Sequence, residues 1–69
     1  MAKKFVLMET RRDEYSLSAL SGTMTVGELI SQLSVYDEDT PIAFSNDNGY
    51  TYGAISDASF RVKYAGDDD

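Results

Sequence analysis

The sequence predicts an α+β domain: one helix packed on an antiparallel sheet of about five strands, in the order ββαβββ. Three observations carry this prediction. A single segment, Met24 to Leu33, has apolar residues at helical spacing and a full start signal. The segments on either side alternate apolar and polar residues, as strands do. Asn46-Asp47-Asn48-Gly49 is a strong turn signal, because Asn and Gly tolerate the positive φ that tight hairpins require.

The helix is the clearest element. Thr25 can cap it by accepting from the Glu28 backbone N–H, while the Glu28 carboxylate reaches back to the Thr25 N–H. Val26, Leu29, Ile30 and Leu33 then fall on one face. Gly27 is a poor helix former, which suggests close approach of the helix backbone to the sheet. The helix should end near Tyr36, since Asp37-Glu38-Asp39 would sit at the negative end of its dipole and Pro41 pushes Thr40 out of helical conformation.

The strands follow in order. Lys3 to Glu9 contains Phe5-Val6-Leu7-Met8 and reads as the first, with Phe5 and Leu7 facing the core. Thr10 to Glu14 is a polar tip, after which Tyr15, Leu17 and Ala19 alternate with Ser16 and Ser18 as a second strand. Pro41 to Ser45 reads as a third with Ile42 and Phe44 inward, and Tyr50 to Ser56 as a fourth antiparallel to it, with Gly53 marking a bulge or a close approach. Phe60-Arg61-Val62-Lys63-Tyr64 alternates apolar and basic residues and reads as a fifth. The core is then Val26, Leu29, Ile30 and Leu33 against Phe5, Leu7, Leu17, Ile42, Phe44, Ile55, Phe60 and Val62. Residues 1–65 form one domain and residues 66–69 a disordered acidic tail.

The chain has 69 residues, and a domain of this size hides about 60% of the surface its unfolded form exposes. It has no cysteine and no histidine, so it lacks disulfides, thiolate nucleophiles, the usual zinc ligands and the commonest general base. No phosphate-cradling glycine loop or nucleophile elbow is present. The expectation is a protein that is not an enzyme and takes no cofactor. Phe5 to Met8 is too short a run for a leader or for the ~20 apolar residues of a membrane span, which predicts a cytoplasmic protein.

Six basic and twelve acidic residues leave a net charge of −6, which disfavours direct binding to nucleic acid or an anionic membrane and suits a basic protein partner. Asp37, Glu38 and Asp39 are the densest acidic cluster within the domain. They lack the glycine and the distal glutamate of a calcium loop and read as a solvated or partner-binding turn. Tyr50 and Tyr52 share one face of the fourth predicted strand, where aromatics with polar tips suit a protein or a flat ligand. Arg11 and Arg12 are candidates for gripping a carboxylate or phosphate. An exposed sheet edge offers a further route to homo-oligomers, by strand addition.

Thr25-Val26-Gly27-Glu28-Leu29 followed by Tyr36-Asp37-Glu38-Asp39-Thr40-Pro41 resembles a helix-to-strand pattern of small bacteriophage and prophage proteins. The resemblance covers residues 25 to 42 and brings no catalytic residues with it. It implies a small acidic phage-type binding protein in the host cytoplasm, occupying a surface of a host protein such as a nucleic-acid-binding defence factor, in the manner of anti-CRISPR or anti-restriction inhibitors. Two alternatives remain. One is an oligomer that sequesters a ligand or nucleotide between chains with Tyr50, Tyr52, Arg11 and Arg12; the other is a structural or housekeeping phage subunit.

Overall fold

The computed structural model describes residues 2–66. Its regular elements are β1 (Val6–Glu9), α1 (Val26–Leu33), β2 (Ile42–Asn46) and β3 (Thr51–Ala54), with short 3-10 turns at Leu17–Ala19, Asp47–Gly49 and Asp57–Ser59. The class is α+β as predicted. The described sheet has three strands rather than five, in the order β1-β2-β3, and it is mixed rather than antiparallel. β1 pairs parallel to β2, and β2 antiparallel to β3.

The difference begins at residues 15 to 19. The predicted second strand is a 3-10 turn, closed by bonds from the Ala19 N–H to the Ser16 carbonyl and from the Leu20 N–H to the Leu17 carbonyl. The Ser16 and Ser18 hydroxyls meet at 2.8 Å, a local alternative to a strand ladder that serines commonly offer. With no strand there to reverse the chain, β1 leads through α1 into β2 as a crossover, and a crossover joins parallel neighbours. Residues 60 to 64, the predicted fifth strand, pair with no described strand.

α1 starts where its capping box places it. The Thr25 N–H donates to Glu28 Oε1 at 2.9 Å, and the Glu28 N–H donates to Thr25 Oγ1 at 3.2 Å. Its end comes at Leu33 instead of near Tyr36. Ser34 caps it, donating its hydroxyl back to the Ser31 carbonyl at 2.7 Å, and the Tyr36 N–H closes a tight turn on Leu33. An added Cβ on Gly27 would meet nothing within 4 Å, so no close approach to the sheet explains this glycine.

The hairpin between β2 and β3 lies where the turn signal put it, but its loop is longer than a two-residue turn. Asp47, Asn48 and Gly49 all have positive φ (51°, 59° and 89°), and the Tyr50 N–H closes the loop onto the Asn46 and Asp47 carbonyls. Tyr50 therefore belongs to the loop, and β3 begins at Thr51. The ladder runs without a bulge through Phe44 opposite Gly53, where the phenyl ring fills space that a glycine leaves open.

Pairing assigns the two sheet faces. Val6, Met8, Ile42 and Phe44 share the side on which α1 lies, whereas Leu7, Ala43, Ser45 and Tyr52 share the other. Phe5 and Leu7 were expected in the core, and their place beneath the helix is taken by Val6 and Met8. No described hydrophobic residue is fully buried. Leu29, Leu33, Ile42, Phe44 and Ile55 are half-buried, while Val26, Ile30, Leu17, Phe60 and Val62 join Phe5 and Leu7 among the exposed. The accessible surface is 6453 Å2, so the chain hides roughly 40% of its unfolded surface rather than the expected ~60%. Its radius of gyration is 14.2 Å, against about 11 Å for a compact chain of this length. The acidic tail predicted over residues 66–69 lies, beyond Gly66, outside the described residues.

The helix start and Gly27 have opposite expected effects. Thr25→Ala removes one half of the capping box and should cost ~0.5 to 2 kcal/mol, with Glu28→Gln costing less because its amide can still reach the Thr25 N–H. Gly27→Ala should stabilise, by up to ~1 kcal/mol, because the position is helical and uncrowded. Thermal denaturation at one fixed protein concentration reads all three, at roughly 4 to 8 °C per kcal/mol. An unchanged melting temperature in Thr25→Ala would refute the cap's contribution.

Candidate partner-binding surface

The two sheet faces carry two open apolar grooves. The first, about 490 Å3, lies between the C-terminal half of α1 and the sheet. Val6, Ile30, Leu33, Tyr36 and Ile42 line it, with Asp37 and Glu38 at its rim. The second, about 420 Å3, lies on the face away from the helix and is lined by Lys3, Phe5, Leu7, Ala43 and Tyr52. Lys3 Nζ stands 5.5 Å from the centroid of the Phe5 ring, a cation–π distance. Phe5, Leu7 and Tyr52 are 48%, 42% and 63% exposed, so this groove is an uncovered patch of apolar surface.

The strand-borne residues owe their positions to the ladder. Ser45 pairs with Tyr52 and is 1% exposed, the one fully buried residue among those described. Its backbone is well served: the Thr10 N–H donates to the Ser45 carbonyl at 3.0 Å, and Thr10 Oγ1 lies 3.2 Å from that carbonyl and from Asn46 Oδ1. Ser45 Oγ itself has no hydrogen-bond partner. The Tyr52 hydroxyl reaches over Gly49, 3.4 Å from where a Cβ would stand, so the tyrosine lies along the hairpin toward its loop.

The residues that the sequence marked for binding are dispersed. Tyr50 is on the hairpin loop and Tyr52 on β3, so they do not form one strand row. Arg11 is engaged by Asp13 at 2.9 Å, and Arg12 reaches Asp47 at 3.7 Å, both exposed ion pairs of small energetic weight. The Asp47 contact brings Arg12 to the hairpin loop, while Arg11 is held locally by Asp13. Asp37 is used locally: its carboxylate accepts from the Asp39 N–H at 3.1 Å, and its carbonyl accepts from the Thr40 N–H at 3.0 Å. Asp37 and Glu38 thus rim the helix-side groove, on the opposite face from Tyr52. Lys3, Phe5 and Leu7 complete the Tyr52 groove and were not singled out as binding residues. Among the described residues no group of three or more acidic, His or Cys side chains is placed to hold a metal ion, and no helix is long and apolar enough to cross a membrane.

The fold and its two grooves define a small β-α-β unit with an added hairpin strand, presenting an apolar groove on each face of its sheet. Comparison of the chain with protein-family models, with curated proteins and with solved structures finds no match in any of the three.

Thr10 and Ser45 test the strand junction. Thr10→Val keeps the backbone bond but loses the hydroxyl contacts, and should cost ~0.5 to 1.5 kcal/mol. Ser45→Ala removes a buried hydroxyl that has no partner, and should leave stability unchanged or raise it. Chemical denaturation of the two variants distinguishes them; a loss in Ser45→Ala as large as that in Thr10→Val would mean that the hydroxyl is satisfied in solution.

Proposed function

We propose that this chain is a non-catalytic binding protein that acts by occupying the surface of another protein. The uncovered groove formed by Phe5, Leu7, Ala43 and Tyr52 carries this reading, because an aromatic and aliphatic patch on an open sheet face is the usual anchor of a protein contact. The net charge of −6 favours a basic partner and speeds its capture. A host protein is proposed as the target, on the resemblance read in residues 25 to 42 to a helix-to-strand pattern of phage and prophage proteins. A nucleic-acid-binding defence factor, basic where it holds its own substrate, has the matching charge, and blocking it is the biological outcome proposed.

A ligand-sequestering reading is favoured by one specific observation: Phe5 and Tyr52 line the same groove as Lys3, a setting for a flat anionic molecule. A thermal-shift screen against nucleotides tests it, since a ligand at a hundredfold its dissociation constant stabilises by about 2.7 kcal/mol.

The main reading predicts that the protein retains one basic host protein, that retention falls as salt rises, and that Tyr52→Ala and Leu7→Glu each abolish it. Binding by purified components, with both variants checked by circular dichroism, is the measurement. Wild-type affinity in both variants would overturn the assignment of this groove.

A further inference from the structure

The first groove and the residue 60 to 64 segment are complementary in chemistry. Along the segment, Phe60, Val62 and Tyr64 alternate with Arg61 and Lys63, so in extended form one edge is apolar and the other basic. It begins extended, with Phe60 at φ −118° and ψ 135°, immediately after a turn held by reciprocal bonds between Ser56 and Ser59. Phe60, Val62 and Tyr64 are 70%, 81% and 74% exposed, large apolar side chains laid out in solvent. The groove has a floor of Val6, Ile30, Leu33 and Ile42 and an acidic rim of Asp37 and Glu38.

We propose that residues 60–64 of one copy seat in the groove between α1 and the sheet of a second copy, and reciprocally, forming an arm-exchanged homodimer. Phe60, Val62 and Tyr64 face the groove floor while Arg61 lies against the Asp37–Glu38 rim. The exchange is isologous: the same arm and the same groove are used by both copies, which closes the assembly at two.

The surface area favours a second copy as the occupant. A folded chain of 7.6 kDa exposes about 4,300 Å2, and this one exposes 6453 Å2, an excess of roughly 2,000 Å2. Part of that excess lies at the arm and the groove and part on the face of Phe5, Leu7 and Tyr52; hiding about half of it in each copy buries on the order of 2,000 Å2 in total, at the lower end of the ~2,000 to 5,000 Å2 range of obligate homodimers. β3 runs back along β2 so that Ala54 stands opposite Ala43, which brings the chain out at the Val6 and Ile42 end of the sheet, beside the groove. A twofold partner docked at that end meets both groove and arm. The contact lies on the face opposite Phe5, Leu7 and Tyr52, so it is independent of the partner-binding reading and leaves that face available.

Sedimentation equilibrium of the full chain over a concentration series tests the proposal, together with a melting temperature that rises with concentration. The expected result is a dimer that Val62→Asp converts to monomer. Arg61→Glu should weaken it by at least about tenfold, with association restored when Glu38→Arg is added in the same chain. A Tyr36→Cys, Val62→Cys double variant, oxidised and run without reductant, should give a covalent dimer. A disulfide formed within a single chain would overturn the proposal in favour of an arm that folds onto its own groove. A wild-type monomer at every concentration, or a dimer indifferent to Val62→Asp and Arg61→Glu, would overturn it as well. Leu7→Glu should leave the dimer intact, which separates failure of this contact from failure of the partner-binding face.

Discussion

The parallel pairing of β1 with β2 is the constraint on which the rest of the structure depends. It begins where the Val6 N–H donates to the Pro41 carbonyl and is closed at its far end by Thr10 on Ser45. Because the two strands run the same way, the chain between them must travel the length of the sheet and return, and α1 makes that return over one face only. A single crossover helix covers a single face. The face bearing Phe5, Leu7 and Tyr52 is therefore left open by the topology, whichever side chains occupy it.

The same arrangement accounts for the thin interior. Eight helical residues over three short strands shield Leu29, Leu33, Ile42 and Phe44 only in part, and a sheet bare on one side adds no second layer. Hydrophobic burial is the main favourable term in folding, so apolar area that one copy leaves exposed is available to drive association. In the proposed dimer, stability and assembly would be one equilibrium, as they are for obligate dimers whose isolated subunits do not persist.

Much of the fold was legible in the sequence where a signal was local and chemically specific. The Thr25 and Glu28 reciprocity marks the helix start because its donors and acceptors all lie within one turn. Asn48 and Gly49 mark the hairpin because few other residues tolerate its backbone, although the positive φ of Asp47 lengthened the loop and drew Tyr50 out of β3. What misled was alternation. In Phe5-Val6-Leu7-Met8 every position is apolar, so the pattern could not say which pair faces the helix, and one residue of phase exchanged core for surface. Tyr15 to Ala19 alternated without becoming a strand, since its serines satisfied one another and its neighbours first. Of the residues that line the open groove, Tyr52 was legible as an exposed aromatic. Its companions Phe5 and Leu7 were hidden by that phase ambiguity; Arg11 is taken up by Asp13 two residues on, which the sequence shows, whereas the Arg12 contact with Asp47 is long-range and the sequence does not show it.

The Thr10 to Ser45 junction also carries a cost in chain entropy. The helix and the β2–β3 hairpin each close over a few residues, whereas the contact between Thr10 and Ser45 spans 35 positions. Closing that longer loop costs about 2 kcal/mol more in chain entropy than closing a four-residue one. Pairing of the N-terminal strand therefore carries the largest closure cost in the sheet, and the β2–β3 hairpin is held by bonds that do not depend on it.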